Sequence, residues 1–489
     1  MPQSTYLCPS SPSYTCLDRF SLHPDPNICE DENGHVPFWP ILESLLNERI
    51  TSAAALIDTL ETISATLTGS TAPATDHHLL REAISEYSDF FPRIWPKLAA
   101  TALAMPSLFP NHCLPILGRD SNKELILSRQ QAACLVVHQF LRTLKAPGWR
   151  TDGTHDFGIW YSRSGQRQES AAKAYLKALM VFFDEVVSRL GSPDLKTWDI
   201  VYTLHQLDGL PPTDDNSTPL AEVQVVTVDE YNTDTRSLEV DADVEYSRTT
   251  PGSGFLKGAV VISANRYVGF GQSATQEEIH VGVSPEACPA VLVTPPLEDT
   301  QVLVVKGVQA MVNIVGQRRE IMVEKMGVPL GGMESWKERT MLFMDALELD
   351  LVDDSGQEGG RTLPDLRAEN IQRELVKAYT AFSSGGFNVV RTGLWGCGAF
   401  NGDPVVKFLI LWLAASMAGV KLVVVCEKER KAVSNEMLDL SLRIKGLEGA
   451  GFRVDARVID TLLRAAPATL VRNETASWFR DKVGKKVRE

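Results

Sequence analysis

Two adjacent acids, Glu277 and Glu278, follow within a few residues of the turn Asn265-Arg266-Tyr267-Val268-Gly269-Phe270-Gly271, with Gln276 directly before them. Cleaving a glycosidic bond needs a proton delivered to the departing oxygen while positive charge builds on the sugar carbon. One neutral carboxyl can supply the proton, and an ionised neighbour can orient sugar hydroxyls, a division that two partly shielded acids favour. The same residues have a plainer use, because Thr275 and Glu278 stand at the spacing of a capping box. Capping accounts for those two but not for Gly269-Phe270-Gly271 or for the second acid, so capping and catalysis both stay open.

A second constellation is Gly393-Leu394-Trp395-Gly396-Cys397-Gly398-Ala399-Phe400-Asn401-Gly402-Asp403. Asp403 is a natural N-cap and Pro404 a natural first residue of the apolar helix that follows. Glycines let backbone N–H groups approach an anion, and a helix start adds positive partial charge, so the expected ligand is a diphosphate. The alternative is a tight connection with no ligand. The pattern is not GxGxxG, which disfavours a nicotinamide or flavin oxidoreductase. Cys397 has no evident His partner and is a poor nucleophile candidate. His77 and His78 read as solvated rather than metal-bound, and Trp412 as core.

The elements that must position these residues fall into two grammars. Apolar residues at three- and four-residue steps over 41–46, 53–67, 128–144 and 171–190 predict an all-helical front region. Proline and small polar residues over 209–219 interrupt it and mark the main boundary. Beyond it, strands are predicted over 221–228, 238–246, 258–264, 301–308, 340–347, 387–392 and 421–426, with helices over 366–382, 404–418 and 431–447. Such alternation predicts a largely parallel sheet covered on both faces. The first two strands look like an antiparallel opening ribbon around 250–254, and 353–364 reads as a glycine-rich acidic loop. Segments 1–36, 37–215 and 216–489 are then a poorly ordered or extended N-terminal stretch, a helical accessory domain and an α/β catalytic domain.

A chain of 489 residues with 44% apolar content can fill two or three cores. Its net charge of −14 argues against general nucleic-acid binding, so an anionic ligand needs a local basic or amide-lined pocket. The eight cysteines are scattered without a CxxC pair, which predicts reduced thiols, an intracellular protein and no structural zinc. The N-terminus lacks the pattern of a secretory signal, and the apolar stretch 405–420 is short and broken by Lys407, so no membrane association is expected. The basic residues over 480–488 read as a charged helix end rather than a nuclear signal.

ANRYVGFG, QEEI and WGCGAF followed by Gly402-Asp403 resemble, in order, the signature blocks of the poly(ADP-ribose) glycohydrolase family. Arg373-Glu374-Leu375-Val376-Lys377-Ala378-Tyr379 and Met344-Asp345-Ala346-Leu347 resemble a helix and a strand of the same family, and 127–135 is similar to a segment of its helical domain. The resemblance runs from about 90 to 430. It implies an α/β, macrodomain-like mixed sheet flanked by helices behind an all-helical accessory domain, and hydrolysis of ribose–ribose bonds in poly(ADP-ribose). By the same resemblance Glu278 is the proton donor and Glu277 holds ribose hydroxyls, while Gln276 and Asn265 position the substrate. Gly396, Cys397, Gly398, Ala399 and Phe400 cradle the diphosphate, Gly269, Phe270 and Gly271 close over it, and Glu245 matches the family's adenine-binding pair. The expected reach is from Glu278 to the anomeric bond of a nucleotide whose pyrophosphate lies on the 396–400 amides.

Some positions depart from the family pattern. Phe270 replaces a glycine, Leu394 an asparagine, Gln317 stands where a stacking tyrosine is expected, and no aromatic lies near Glu427. These departures imply weaker or differently placed binding that favours chain ends. The partners implied are poly(ADP-ribose), ADP-ribosylated proteins and the product ADP-ribose, with no metal, cofactor, direct nucleic-acid or membrane partner, in a monomer of the nucleus or cytoplasm. The rival class is an ADP-ribose reader that binds without cleaving.

Overall fold

The computed structural model describes residues 4–69, 76–119, 123–163, 168–210, 218–228, 258–316, 321–325, 333–349, 363–467 and 469–486. The chain forms two compact units. The first comprises Met1–Thr203, Tyr267–Pro296 and Lys306–Lys337, and the second Leu204–Arg266, Leu297–Val305 and Glu338–Glu489. The acid-bearing segment groups with the front unit in this division. Packing is the reason: the Phe270 ring centroid lies 5.3 Å from that of Phe157 and 5.2 Å from that of Trp160.

In the first unit the periodic segments fold as helices α1 (Phe38–Asn47), α2 (Ala53–Thr68), α3 (His78–Ser85), α4 (Trp95–Leu103), α5 (Arg129–Leu141) and α6 (Glu169–Glu185). Ser128 starts α5 through a capping box with Gln131, whose side chain returns to the Ser128 amide. The front region is not helical throughout. Strand β1 (Glu124–Ser128) pairs antiparallel with the first part of β2 (Asp199–Gln206), where Leu125 and Leu127 face inward and Ile126 outward. The N-terminal residues include short extended strands. Thr5–Leu7 pairs with Cys113–Pro115 and Thr15–Leu17 with His35–Pro37. Tyr6 and Tyr14 bury their rings and donate their hydroxyls to the carbonyls of Lys145 and Thr143, both at 2.7 Å. His77 also departs from expectation: it is buried, 3.2 Å from Glu61 and packed on Tyr161, while His78 is exposed.

The second unit carries strands β3 (Val223–Val228), β4 (Gly258–Ala264), β5 (Gln301–Lys306), β6 (Thr340–Asp345), β7 (Val389–Thr392) and β8 (Lys421–Glu427). Their order is β5-β6-β4-β7-β8-β3, with the end of β2 beside β5. The pairs β6/β4, β7/β4, β7/β8 and β8/β3 are parallel. β3 runs parallel to β8 at the end of the described strand order, and the second strand of the predicted opening ribbon lies outside the described residues. The predicted strand 238–246, the turn at 250–254, Gln317 and most of the acidic loop lie outside the described residues. Register fixes the site. Asp345 is level with Ala264 and Arg391 with Val260, so β4, β6 and β7 run in the same direction and share one carboxyl edge, where open α/β sheets bind ligands.

Helices α8 (Ala368–Phe382), α9 (Pro404–Ala418), α10 (Lys431–Gly446), α11 (Ala456–Ala465) and α12 (Thr475–Lys486) complete this unit, between them packing against the sheet and one another, while the short helix α7 (Gln276–Gly282) belongs to the first. α9 is apolar on every side because it is covered on every side. Trp412 is fully buried, with its indole N–H 3.0 Å from the Ala221 carbonyl. Among the described residues no helix is long and apolar enough to cross a membrane.

The segment that carries α7 is tied into the first unit by an ion pair. Arg129, at the start of α5, places Nε 2.6 Å from Glu286 Oε1, and both side chains are buried. Glu286 Oε2 also accepts from the Gln309 amide at 3.1 Å, and the Arg129 guanidinium lies 4.4 Å from the Trp198 ring centroid. Removing one partner leaves an uncompensated buried charge. Arg129→Ala is expected to lower stability in urea unfolding by about 3–5 kcal/mol; a loss under about 1 kcal/mol would mean the pair behaves as a surface one.

Candidate active site

The acids sit on a loop made rigid by its own backbone. Thr275 caps α7, and the Glu278 amide donates to its hydroxyl at 3.3 Å. In return Glu278 Oε2 accepts from the amides of Ser273 at 2.9 Å and Thr275 at 3.0 Å. The capping box anticipated from spacing therefore exists, and it engages one carboxylate oxygen only. The other, Oε1, lies against Gly271, where an added Cβ would stand 2.0 Å away. Glycine at 271 is thus required by close approach, not by dihedral. Glu277 is buried and its Oε1 accepts from the Gly269 amide at 2.8 Å.

The first unit supplies the rest of this frame. Trp160 Nε1 donates to the Gly271 carbonyl at 2.8 Å, the Gln272 side-chain Nε2 to the Ile159 carbonyl at 2.6 Å, and buried Arg150 to the Val268 carbonyl. Burial pulls the Arg150 guanidinium below its ordinary value, with Asp152 and Glu277 opposing. Phe270 was expected to close over ligand, but its ring is 3% exposed and spent on the Phe157–Trp160 cluster. An aromatic where the family pattern has glycine finds its place by packing inward.

In the second unit, Asn265 leaves the end of β4 with its amide 3.5 Å from Glu348, just beyond β6. The turn after β7 runs under the same edge: the Leu349 amide donates to the Phe400 carbonyl at 3.1 Å. Gly396 has φ +72°, and a Cβ there would lie 2.6 Å from that of Ala346, so conformation and space both demand glycine. Within the turn, Cys397 N donates to the Leu394 carbonyl at 3.0 Å, Asn401 N to Gly398 at 3.2 Å and Gly402 N to Gly396 at 2.9 Å. The amides of Gly396, Gly398, Ala399 and Phe400 donate to no acceptor among the described residues. Gly398 and Ala399 are exposed.

Beneath the turn the helix start is built as expected. Asp403 Oδ1 accepts from the amides of Val405 and Val406, both at 3.0 Å, and the Asp403 amide donates to Asp365 at 2.9 Å. Lys407 pairs with Glu374 and lies 4.7 Å from the Trp395 ring centroid. Burial pushes the Asp403 carboxyl up to about 6; the Val406 amide opposes this and neighbouring Asp365 adds to it. Asp365 is raised too, chiefly by burial. Cys397 is half-buried and burial pushes its thiol up, consistent with an inert role.

The described structure thus joins Glu277, Glu278, Gly269 and Gly271 in one unit, and Asn265 with 396–400 in the other. Gln276 begins α7, half-buried. Glu245 lies outside the described residues. Sequence reasoning missed Arg150, Trp160, Glu348 and Asp365, whose partners are far away in the chain; only the aromatic pair Phe157 and Trp160 offered a signal.

Residues 232–434 match the family model of the poly(ADP-ribose) glycohydrolase macro domain fold, and residues 83–201 match that of the same family's helical domain. The chain belongs to the poly(ADP-ribose) glycohydrolase family. It is 26% identical over 195 residues to poly(ADP-ribose) glycohydrolase 2 of Caenorhabditis elegans, covering 38% of this chain and 37% of that one. It is 28% identical over 166 residues to poly(ADP-ribose) glycohydrolase 1 of the same organism, covering 32% and 21%. The match therefore spans well under half of either relative's length. Solved poly(ADP-ribose) glycohydrolases are more distant. The enzyme of Thermomonospora curvata is 15% identical with a TM-score of 0.28, covering 46% of this chain and 79% of that one. That of Deinococcus radiodurans, in complex with ADP-ribose, is 14% identical with a TM-score of 0.28, covering 46% and 86%. In this divergent member of the family Phe270 and the surrounding aromatics anchor the acid loop.

Two outcomes follow from this geometry. Gly271→Ala must displace Glu278 and its cap, and a stability loss of about 1–3 kcal/mol is expected in thermal unfolding; unchanged stability would show that Oε1 does not lie against position 271. Asp403 is an acid whose folded value is raised, so its stabilising contribution is complete below pH 3.8 and is lost as pH rises through about 6. Over that window wild type should lose up to about 1.4 kcal/mol per pH unit relative to Asp403→Asn. Parallel stability–pH curves for the two proteins would refute the shift.

Proposed function

We propose that this chain is a hydrolase of poly(ADP-ribose) that releases ADP-ribose by breaking ribose–ribose O-glycosidic bonds. The 396–400 turn holds the pyrophosphate through its unclaimed amides, aided by the start of α9. Glu278 gives a proton to the departing ribose oxygen as the C1–O bond breaks, leaving an oxocarbenium-like sugar and a Glu278 carboxylate. Water then adds to C1 and its proton returns to Glu278. Glu277, Gln276 and Asn265 orient the ribose hydroxyls. The observation that carries this reading is the unequal use of the Glu278 carboxyl: two amides fix Oε2 and hold the side chain in place, while Oε1 lies against Gly271 outside the capping box.

The second reading, a binding module that grips ADP-ribose without cleaving it, draws on the same capping box, which gives Glu278 a structural role sufficient to retain it. Both readings include ADP-ribose binding, so catalysis must separate them. Wild type, Glu278→Gln and Glu277→Gln are incubated with automodified poly(ADP-ribose), and released ADP-ribose is measured. Release by wild type that falls about 10²–10⁴-fold in Glu278→Gln supports the hydrolase. Binding of ADP-ribose with no release from wild type supports the reader.

A further inference from the structure

The family match ends at residue 434, yet the pyrophosphate turn is held from beyond it. Arg472 opens a short 3-10 turn, Arg472–Glu474, that leads into α12. Its guanidinium donates twice to Asn401, from Nη1 to the side-chain oxygen and from Nη2 to the backbone carbonyl. Asn401 is the residue at which the turn reverses: its φ is +58°, a left-handed conformation that asparagine adopts more readily than other non-glycine residues and that the two bonds from Arg472 hold in place. Three residues on, Thr475 is 1% exposed, and its hydroxyl lies 3.1 Å from Asp403 Oδ2 and 2.9 Å from the Arg472 carbonyl. Asp403 meanwhile spends its other oxygen on the start of α9. The C-terminal segment thus grips the turn at both ends of its last three residues, Asn401 and Asp403.

We propose that Arg472 and Thr475 are positioning residues for nucleotide binding: they clamp 401–403 so that the amides of 396, 398, 399 and 400 stay aimed at the pyrophosphate. This rests on the reading of the turn given above. A forked guanidinium suits the task because its two Nη groups hold a carbonyl and a side-chain oxygen in one rigid plane, a geometry that the compact ammonium of a lysine does not reproduce. The contribution is to affinity. Proton transfer belongs to Glu278, so the clamp sets ligand binding and KM and leaves kcat at saturating substrate untouched.

The test uses the full chain as wild type, Arg472→Ala, Arg472→Lys and Thr475→Val, with free ADP-ribose titrated by calorimetry and amide hydrogen exchange followed over 396–402. Arg472→Ala and Arg472→Lys are both expected to weaken ADP-ribose binding about tenfold, Thr475→Val less, with faster exchange confined to the turn. On poly(ADP-ribose), KM rises and kcat stays within about twofold. Wild-type affinity in Arg472→Ala would overturn the proposal. So would recovery in Arg472→Lys, because Arg472 would then act as a charge on the ligand. Wild type that binds no ADP-ribose sinks the functional reading instead; the clamp is then decided by exchange alone, and unchanged exchange at 396–402 in Arg472→Ala refutes it.

Discussion

The backbone of 396–403 has more donors than the protein gives it acceptors, and much of the second unit is arranged around that surplus. Cys397, Asn401, Gly402 and Asp403 each have an acceptor for their amide, and those bonds fold the turn. Gly396, Gly398, Ala399 and Phe400 have none among the described residues. Buried orphan amides are costly, but a turn whose tip at 398 and 399 is exposed leaves them to water, and an anion can take water's place. The arrangement holds only if the satisfied amides cannot trade places with the unsatisfied ones. Asp365 under Asp403, Ala346 against Gly396 and Arg472 on Asn401 each block such a trade.

The acid loop solves a related problem with side chains. In the proposed reaction Glu278 carries a proton to a fixed point and cannot keep its full rotamer freedom, and restraining a long side chain has an entropic cost. In Glu278 that cost is shared with an element the fold needs anyway, since the same carboxyl completes the start of α7. Glu277 is fixed by Gly269, and the loop beneath by Trp160 and Arg150. Phe270 adds apolar burial where the family pattern has a bare glycine, so the loop loses conformational freedom and gains an anchor in the same position.

Local features were legible in the sequence, and long-range partners were not. β4 and α9 were predicted with the bounds observed, because an apolar run of seven and an apolar helix led by Asp403-Pro404 have few alternatives. The glycines, caps and both acids could be placed on their turns for the same reason. β1 and β2 were hidden inside a helical stretch, since their alternation is short and their pairing joins residues more than seventy positions apart. Arg129, Arg150 and Asp365 read as ordinary charged residues until the fold shows them buried against Glu286, Val268 and Asp403. Arg472 lies in a segment with no motif; its meaning comes wholly from the turn it reaches.

Charge adds a last constraint. A chain with net charge −14 that is to hold a pyrophosphate cannot rely on a general basic surface. Near the turn, most cations that could help are already committed: Lys407 to Glu374, Lys377 and Arg373 to Asp345. Each of those side chains is largely neutralised and buried, so it shapes the edge of the sheet without projecting a field. What the proposed reading leaves for an anion is the dipolar part of the protein, the amides of 396, 398, 399 and 400 and the first turn of α9, while Arg472 spends its guanidinium on Asn401. Such a site discriminates by geometry more than by charge. On the proposed reading it favours a ligand whose oxygens match several fixed N–H vectors at once, as those of a pyrophosphate would and those of an isolated carboxylate or chloride would not.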